Sequence, residues 1–194
     1  MISICSRIRH NYFALLLIDI QNDYFPGGAM ECECGIEAGE NAGKLLKYAR
    51  ENNILTIHIR HISKRPGALF FLPGTKGSEF YRKVTPITGE SVIIKHYPNS
   101  FKETNLSVIL QSNDIRKLII SGMMTHMCID ATTRAAADLG FSCILVQDAC
   151  ATRSISWKNI MVPAEMVHVS FIGALSGIYA EIYSTEEIIN SSDL

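Results

Sequence analysis

The chain has 194 residues, 47% of them hydrophobic and 19% charged, with a formal net charge of -1. No stretch rich in Pro, Gly or Ser divides it into two hydrophobic halves, so one domain over residues 1-194 is expected, and the near-neutral charge excludes a general attraction to nucleic acid. The start, Met1 to His10, carries Arg7, Arg9 and His10, but the apolar run after it stops at Asp19, too short for a signal or spanning helix; the expectation is a cytoplasmic protein with no membrane partner.

Phe13 to Ile18 is a continuous apolar run of strand length that stops at Asp19, before a loop with Pro26, Gly27 and Gly28. From Ile36 to Asn52 the residues Ile36, Ala42, Leu45, Leu46 and Ala49 recur at helical spacing, and Ile54 to Ile59 resumes strand character. A loop with Gly67, Pro73, Gly74 and Gly77 leads to a third strand, Ser91 to Ile94, that runs into Lys95. Asn105 to Ser112 is expected to be helical, Lys117 to Ser121 a fourth strand ending at Gly122, and Cys128 to Leu139 a helix. Phe141 to Gln147 makes a fifth strand, Pro163 to Ile178 a helix opening with Pro, and Ala180 to Tyr183 a sixth strand. Alternating strands and helices with near-continuous apolar strands imply an α/β fold: three α/β/α layers around a mostly parallel six-stranded sheet.

The six cysteines, at 5, 32, 34, 128, 143 and 150, lack the spacing of a disulfide framework and are expected to be thiols. Cys32 and Cys34 flank Glu33, but with no second pair and no nearby His they do not make a metal site.

In an open parallel sheet, ligands bind beyond the carboxyl ends of the strands. Asp19 ends the first strand, Lys95 ends the third, and the fourth delivers the chain through Gly122 to the helix carrying Cys128. Singly, each has an ordinary alternative: Asp19 as a loop cap, Lys95 as a solvated charge, Cys128 as a buried filler. Together they place an acid, a base and a thiol at one edge. A Cys in the first turn of a helix, beside an ammonium, is expected to form thiolate more readily.

The ordered blocks Leu17-Ile18-Asp19-Ile20-Gln21-Asn22-Asp23-Tyr24, Pro73-Gly74-Thr75-Lys76-Gly77, Lys95 with Ser100-Phe101, Gly122-Met123-Met124-Thr125-His126-Met127-Cys128 and Asp148-Ala149-Cys150-Ala151-Thr152 resemble the isochorismatase-like superfamily of cysteine hydrolases from about Phe13 to Ile188. The resemblance implies a hydrolase acting on a small-molecule substrate, an amide or related carbonyl compound, with Cys128 as nucleophile, Asp19 as proton acceptor and donor, and Lys95 as electrostatic partner. It also implies a cis peptide joining Met123 to Met124, with the amides of Met124 and Cys128 facing an oxyanion. Tyr24, Met30, Phe101, Met124 and Thr125 are the expected substrate-binding residues, with Phe70 and Phe71 as further apolar wall. The superfamily is commonly oligomeric, so a homo-oligomer is expected; the apolar last helix, with Val162, Met166, Val169, Phe171, Ile172 and Leu175, is compatible with that and equally with core burial. Arg153 and Trp157 fall where a covering loop or a neighbouring subunit could meet the site.

Amidases of this superfamily that act on nicotinamide carry a metal held by an Asp-x-His motif after the second strand. Here His61 and Ser63 stand at those positions, and an odd spacing turns His58 and His61 to opposite faces, so no metal and no cofactor are expected. Two other readings stay open: an isochorismatase-type vinyl-ether hydrolase, which needs no thiol, and a catalytically silent interaction protein. A nucleotide-binding protein is a weaker option, because no Gly-rich phosphate loop follows the first strand.

Overall fold

The computed structural model describes residues 12–191; the basic start Met1 to His10, with Cys5, lies outside the described residues. Strand β1 (Phe13–Ile18) is the centre of the fold, and each of its six residues is at most 1% exposed. Their alternation divides them between two cores. Phe13, Leu15 and Leu17 pack with Ala42, Leu45 and Leu46 of helix α1 (Gly35–Glu51), while Ala14, Leu16 and Ile18 pack with Leu106 and Leu110 of helix α2 (Leu106–Ser112). A strand covered on both faces has no polar side to show, which explains its unbroken apolar run. Each large side chain so buried contributes about 1.5–3 kcal/mol, before the entropy of ordering is counted.

Strands β2 (Leu55–His61) and β3 (Ser91–Lys95) extend the sheet on one side of β1, and β4 (Lys117–Met123) and β5 (Ser142–Ala151) on the other. A hairpin of β6 (Ile155–Trp157) and β7 (Ile160–Val162) stands apart from the sheet, and β8 (Glu181–Tyr183) closes its far edge. The order is β3-β2-β1-β4-β5-β8, with every neighbouring pair parallel. Helix α3 (Asp130–Asp138) and Leu175 of α4 (Ala164–Leu175) cover the α2 face, and Ile188 of α5 (Thr185–Asn190) joins α1, completing three layers. The chain winds outward from β1 to β3, then crosses back to lay β4 against β1. That reversal opens a crevice between the ends of β1 and β4. Gly122 makes the close approach possible: at φ +131° a Cβ there would run into the Ile18 carbonyl oxygen.

Several boundaries differ from expectation for local reasons. β5 runs past Gln147 to Ala151 through an irregularity in its pairing with β4, where Leu145 partners Ile120 and Cys150 partners Gly122. Within that stretch Asp148 accepts from the Thr185 amide and hydroxyl and from Asn41, tying α5 and α1 to the sheet. Helix α5 itself carries an unread start signal: Ser184 and Glu187 form a reciprocal capping box. The hairpin was also unread, because its six residues are too short and exposed to show a burial pattern. Core burial does not account for all of the apolar pattern on α4: Val167 and Leu175 are buried, but Met166 and Val169 are more than half exposed. The five described cysteines are free thiols, and among the described residues no helix is long and apolar enough to cross a membrane.

Candidate active site

Asp19 is the first residue beyond β1. Its amide donates to the Ile59 carbonyl at 3.0 Å and its backbone takes a left-handed φ of 53°, a conformation a non-glycine residue holds when its surroundings over-determine it. Lys95 ends β3 in register with His61, the last residue of β2, so its long side chain must cross the end of β2 to reach Asp19. Cys128 sits in a π-turn, Thr125–Ile129, between β4 and α3; the Met123–Met124 peptide just before it is cis. Cys128 therefore precedes the regular α-helix, which begins at Asp130, and does not open it as expected.

These three strand ends bring the three side chains into contact. Lys95 Nζ lies 2.6 Å from Asp19 Oδ2 and donates to Cys128 Sγ at 3.1 Å. The same ammonium donates to the carbonyls of Tyr97 and Pro98, at 3.0 and 3.2 Å, and stands 3.3 Å from His61 Nδ1. Asp19 and Lys95 are fully buried and Cys128 is 5% exposed.

Burial sets the protonation states. It opposes a charge on Lys95, but Asp19 and Cys128 more than offset this and hold the amine above its ordinary value. For Cys128 the balance goes the other way: burial raises the thiol well above its ordinary range, the Asp19 carboxylate raises it further, and Lys95 only partly opposes them. This corrects the expectation of a ready thiolate. One ammonium beside one carboxylate is already neutralised, so it cannot also stabilise a resting thiolate in a dry site. His61 is lowered to about 4, chiefly by burial, which prevails over the opposing pull of Asp19 with smaller help from Lys95 and His96, and it is neutral at pH 7.

Asp19, His61 and Cys128 each hold a potential ligand atom within 4.8 Å of the others, a spacing compatible with a metal. Lys95 Nζ touches all three residues. A divalent ion among them would meet that ammonium at about 3 Å, a repulsion on the order of 10 kcal/mol at an effective dielectric of about 20. The donor set does not fit a metal while Lys95 is charged.

The expected substrate-binding residues separate into two groups. Tyr24 is buried and near enough to Cys128 and Asp19 for both to raise its phenol, after burial itself, and it packs against Phe71 and Phe70 with ring centroids at 4.7 and 6.2 Å. Met30 and Phe70 border a cleft of about 430 Å³ that His61 also lines. Met124 is buried beside the cis peptide. Thr125 and Phe101 face elsewhere. The Thr125 hydroxyl is committed to the Ala151 carbonyl and to His168 of α4, and Phe101 stacks on Phe141 in the α2-side core. Neither borders the cleft lined by Met30 and Phe70. Trp157 is 77% exposed on the hairpin, while Arg153 reaches back to the Met30 sulfur.

A larger cleft, about 540 Å³, lies between α1, β5 and α4 and is bordered by Glu33, Glu37, Asp148 and Glu165. Neither cleft is bordered by Asp19, Lys95 or Cys128, but the smaller one is bordered by His61 and Pro98, both of which Lys95 touches.

Three contributors were missed in the sequence. In the sequence His61 stands only at a metal-motif position; the pairing of β2 with β3, which sets it opposite Lys95, places it at the site. Gln21 clamps the end of β2, accepting from the His61 amide at 2.7 Å and donating to the His61 and Ser78 carbonyls. Asp23 accepts from the Phe71 amide at 2.6 Å and the Ala29 amide at 3.2 Å, fixing the aromatic wall. His58 and His61 do diverge: His58 is buried against Glu90 at 2.9 Å.

Residues 13–187 match the model of the isochorismatase domain. The chain is 46% identical over 176 residues to the uncharacterized isochorismatase family protein YddQ of Bacillus subtilis, covering 91% of this chain and 98% of that one. A crystal structure from Oleispira antarctica, described as an isochorismatase hydrolase, superposes with a TM-score of 0.90 at 44% identity over 93% of this chain and 97% of its own. Maleamate amidohydrolase of Pseudomonas putida is 29% identical over 154 residues, 72% of each chain.

Proposed function

The chain belongs to the isochorismatase family of hydrolases, and we propose that it cleaves a small amide-like C-N bond through a thioester on Cys128, with Asp19 as acid and base and Lys95 as electrostatic partner. The observation that carries this reading is the single buried ammonium in contact with both the carboxylate and the sulfur. The similarity to an amidohydrolase supports the choice of bond.

Because the resting sulfur is a thiol, the thiolate is made only when Asp19 takes its proton, as the substrate carbonyl arrives. Sulfur then bonds to the carbonyl carbon, and the charge moves to oxygen, which the amides of Met124 and Cys128 receive. Collapse breaks the C-N bond, and Asp19 gives its proton to the departing amine. The regenerated carboxylate takes a proton from water as that water attacks the thioester. The C-S bond breaks, sulfur recovers the proton, and a carboxylic acid leaves. Lys95 stays charged throughout and balances whichever of Asp19 or Cys128 is the anion.

The exposed apolar residues Met166 and Val169 of α4, with Trp157, Ile160 and Met161 of the hairpin, support self-association into a homo-oligomer, and the cytoplasm suits five free thiols. The mechanism is tested by rapid quenching during turnover of primary amides and ureides, followed by mass spectrometry. An acyl adduct on Cys128 is expected. Turnover that survives Cys128→Ala, or isochorismate hydrolysis that survives thiol alkylation, would remove the covalent route and favour the vinyl-ether reading.

A further inference from the structure

His61, the last residue of β2, is pinned through its backbone. Its amide donates to Gln21 Oε1 at 2.7 Å, its carbonyl accepts from Gln21 Nε2 at 2.9 Å, and Lys95 pairs with it across the sheet. Phe71 lies against the ring, with centroids 5.7 Å apart. A side chain supported in this way presents its ring atoms in one orientation. One ring nitrogen, the Cys128 sulfur and an Asp19 carboxylate oxygen all lie within 4.8 Å of one another, so the ring stands at the reacting atoms.

The two nitrogens of that ring have different surroundings. Nδ1 is 3.3 Å from Lys95 Nζ. An ammonium has only protons to give and no lone pair, so Nδ1 faces it with a lone pair of its own. His61 is neutral at pH 7, and a neutral imidazole with a bare Nδ1 carries its proton on Nε2. Among the described residues Nε2 has no hydrogen-bond partner, and unlike Asp19 Oδ1 it is not sealed from solvent. His61 lines the cleft of about 430 Å³ together with Met30 and Phe70, and Nε2–H is the donor it has left to offer there. Proton transfer is a poor use for it: the one lone pair is turned to Lys95, and a neutral N–H is too weak an acid to protonate a leaving amine. What remains is recognition.

We propose that His61 Nε2–H is a specificity-determining donor, which selects amides carrying a second, uncharged hydrogen-bond acceptor close to the scissile carbonyl. This rests on attack by Cys128: a carbonyl carbon poised for attack sits about 3–3.5 Å from sulfur, so atoms a bond or two further on come within reach of His61. An N–H covered by an apolar group loses its water and gains no bond in return, and that penalty discriminates between substrates of one shape. Two shape-matched pairs test it: acetoacetamide against isovaleramide, and methoxyacetamide against butyramide. In each pair the acceptor-bearing amide is expected to lead in kcat/KM by about tenfold, the worth of one neutral hydrogen bond. His61→Leu should bring both ratios close to one, while His61→Gln, whose side-chain N–H reaches the place of Nε2, should restore most of the preference. Equal losses for both members of a pair in His61→Leu, with the ratio kept, would mean that the ring only holds Lys95 in position, and would overturn the proposal.

A measurement without turnover separates this role from the covalent mechanism beneath it. Long-range proton–nitrogen NMR of the histidine rings, with His61 assigned by its absence in His61→Gln, reports which nitrogen is protonated. The Nε2–H form is expected at pH 7, in wild type and in Cys128→Ala. Acetoacetamide added to Cys128→Ala should shift the Nε2 signal and isovaleramide should not, a result that supports the donor even if no amide is cleaved. A proton on Nδ1, or the same response to both amides, including none, overturns it and leaves the covalent mechanism standing.

Discussion

Lys95→Met removes the ammonium and keeps an unbranched apolar stem. In the native protein Asp19 and Lys95 are both fully buried and 2.6 Å apart. Breaking such a pair from one side leaves a carboxylate without its counter-ion and costs about 3–5 kcal/mol. The upper half of that range is expected, because the carbonyls of Tyr97 and Pro98 lose a donor in the same step. That is a large part of the roughly 5–15 kcal/mol that holds a domain folded. The assay is urea unfolding at pH 7 followed by far-UV circular dichroism; Trp157, being 77% exposed, is a poor fluorescence reporter. Asp19→Asn/Lys95→Met, with both charges gone, should be more stable than the sum of the single losses predicts, by about 1–3 kcal/mol. The native pair also has a definite pH window. Lys95 is raised above its ordinary 10.5, so its stabilisation is complete below that value and is lost only as pH climbs through the higher folded value. A loss below about 1 kcal/mol in Lys95→Met, or strictly additive effects, would show that the pair does not hold this end of the sheet together.

Cys128→Ala and Asp19→Asn should each lower turnover by at least about 10³, and together by little more than either alone, because the groups act as one unit; additive losses in steady-state kinetics would mean that the residues are wrongly grouped. Treatment with a strong chelator should leave turnover unchanged, since Lys95 already supplies the positive charge among Asp19, His61 and Cys128, and loss of activity restored by zinc would refute this. Glu90→Gln should be less stable at pH 7 by about 1–2 kcal/mol, allowing for partial screening. Burial opposes the Glu90 charge, but the paired bonds from Arg50, the Ile87 amide and His58 win and lower it to about 2. Its stabilisation is therefore present above 4.5 and fades as pH falls toward 2, so wild type and variant should converge in acid unfolding; an unchanged gap at pH 2 would sink the assignment.

The parts of the fold that were legible are those where burial dictates composition. β1 is covered on both faces, so it had to be apolar throughout, and the same holds for most of β4 and β5. What stayed hidden was governed by local polar bonds or by exposure. The capping box that starts α5 needs a single Ser and Glu. The β6 and β7 hairpin is exposed over most of its six residues and leaves no inward-facing alternation. The extension of β5 passes through an irregularity, and within it Asp148 anchors α5 and α1 by tertiary contacts between residues 37 and 107 positions apart.

At the site, the convergence of Asp19, Lys95 and Cys128 followed from strand ends alone, but their electrostatics did not, because desolvation depends on what lies above them. Position near a helix start argued for a thiolate; full burial beside an anion decided for a thiol. That outcome fits the proposed mechanism. A permanent thiolate in so dry a site would need a second cation, and a second cation would hold the carboxylate and sulfur charged while weakening the drive of either to attack or to accept a proton. With one ammonium shared between two acids, the anion can move from Asp19 to Cys128 and back without any charge entering or leaving the buried site. The position of Lys95 on β3 suits the proposed mechanism: Asp19 follows β1 and Cys128 follows β4, so a cation shared by both comes from beyond β2 on a side chain long enough to pass His61.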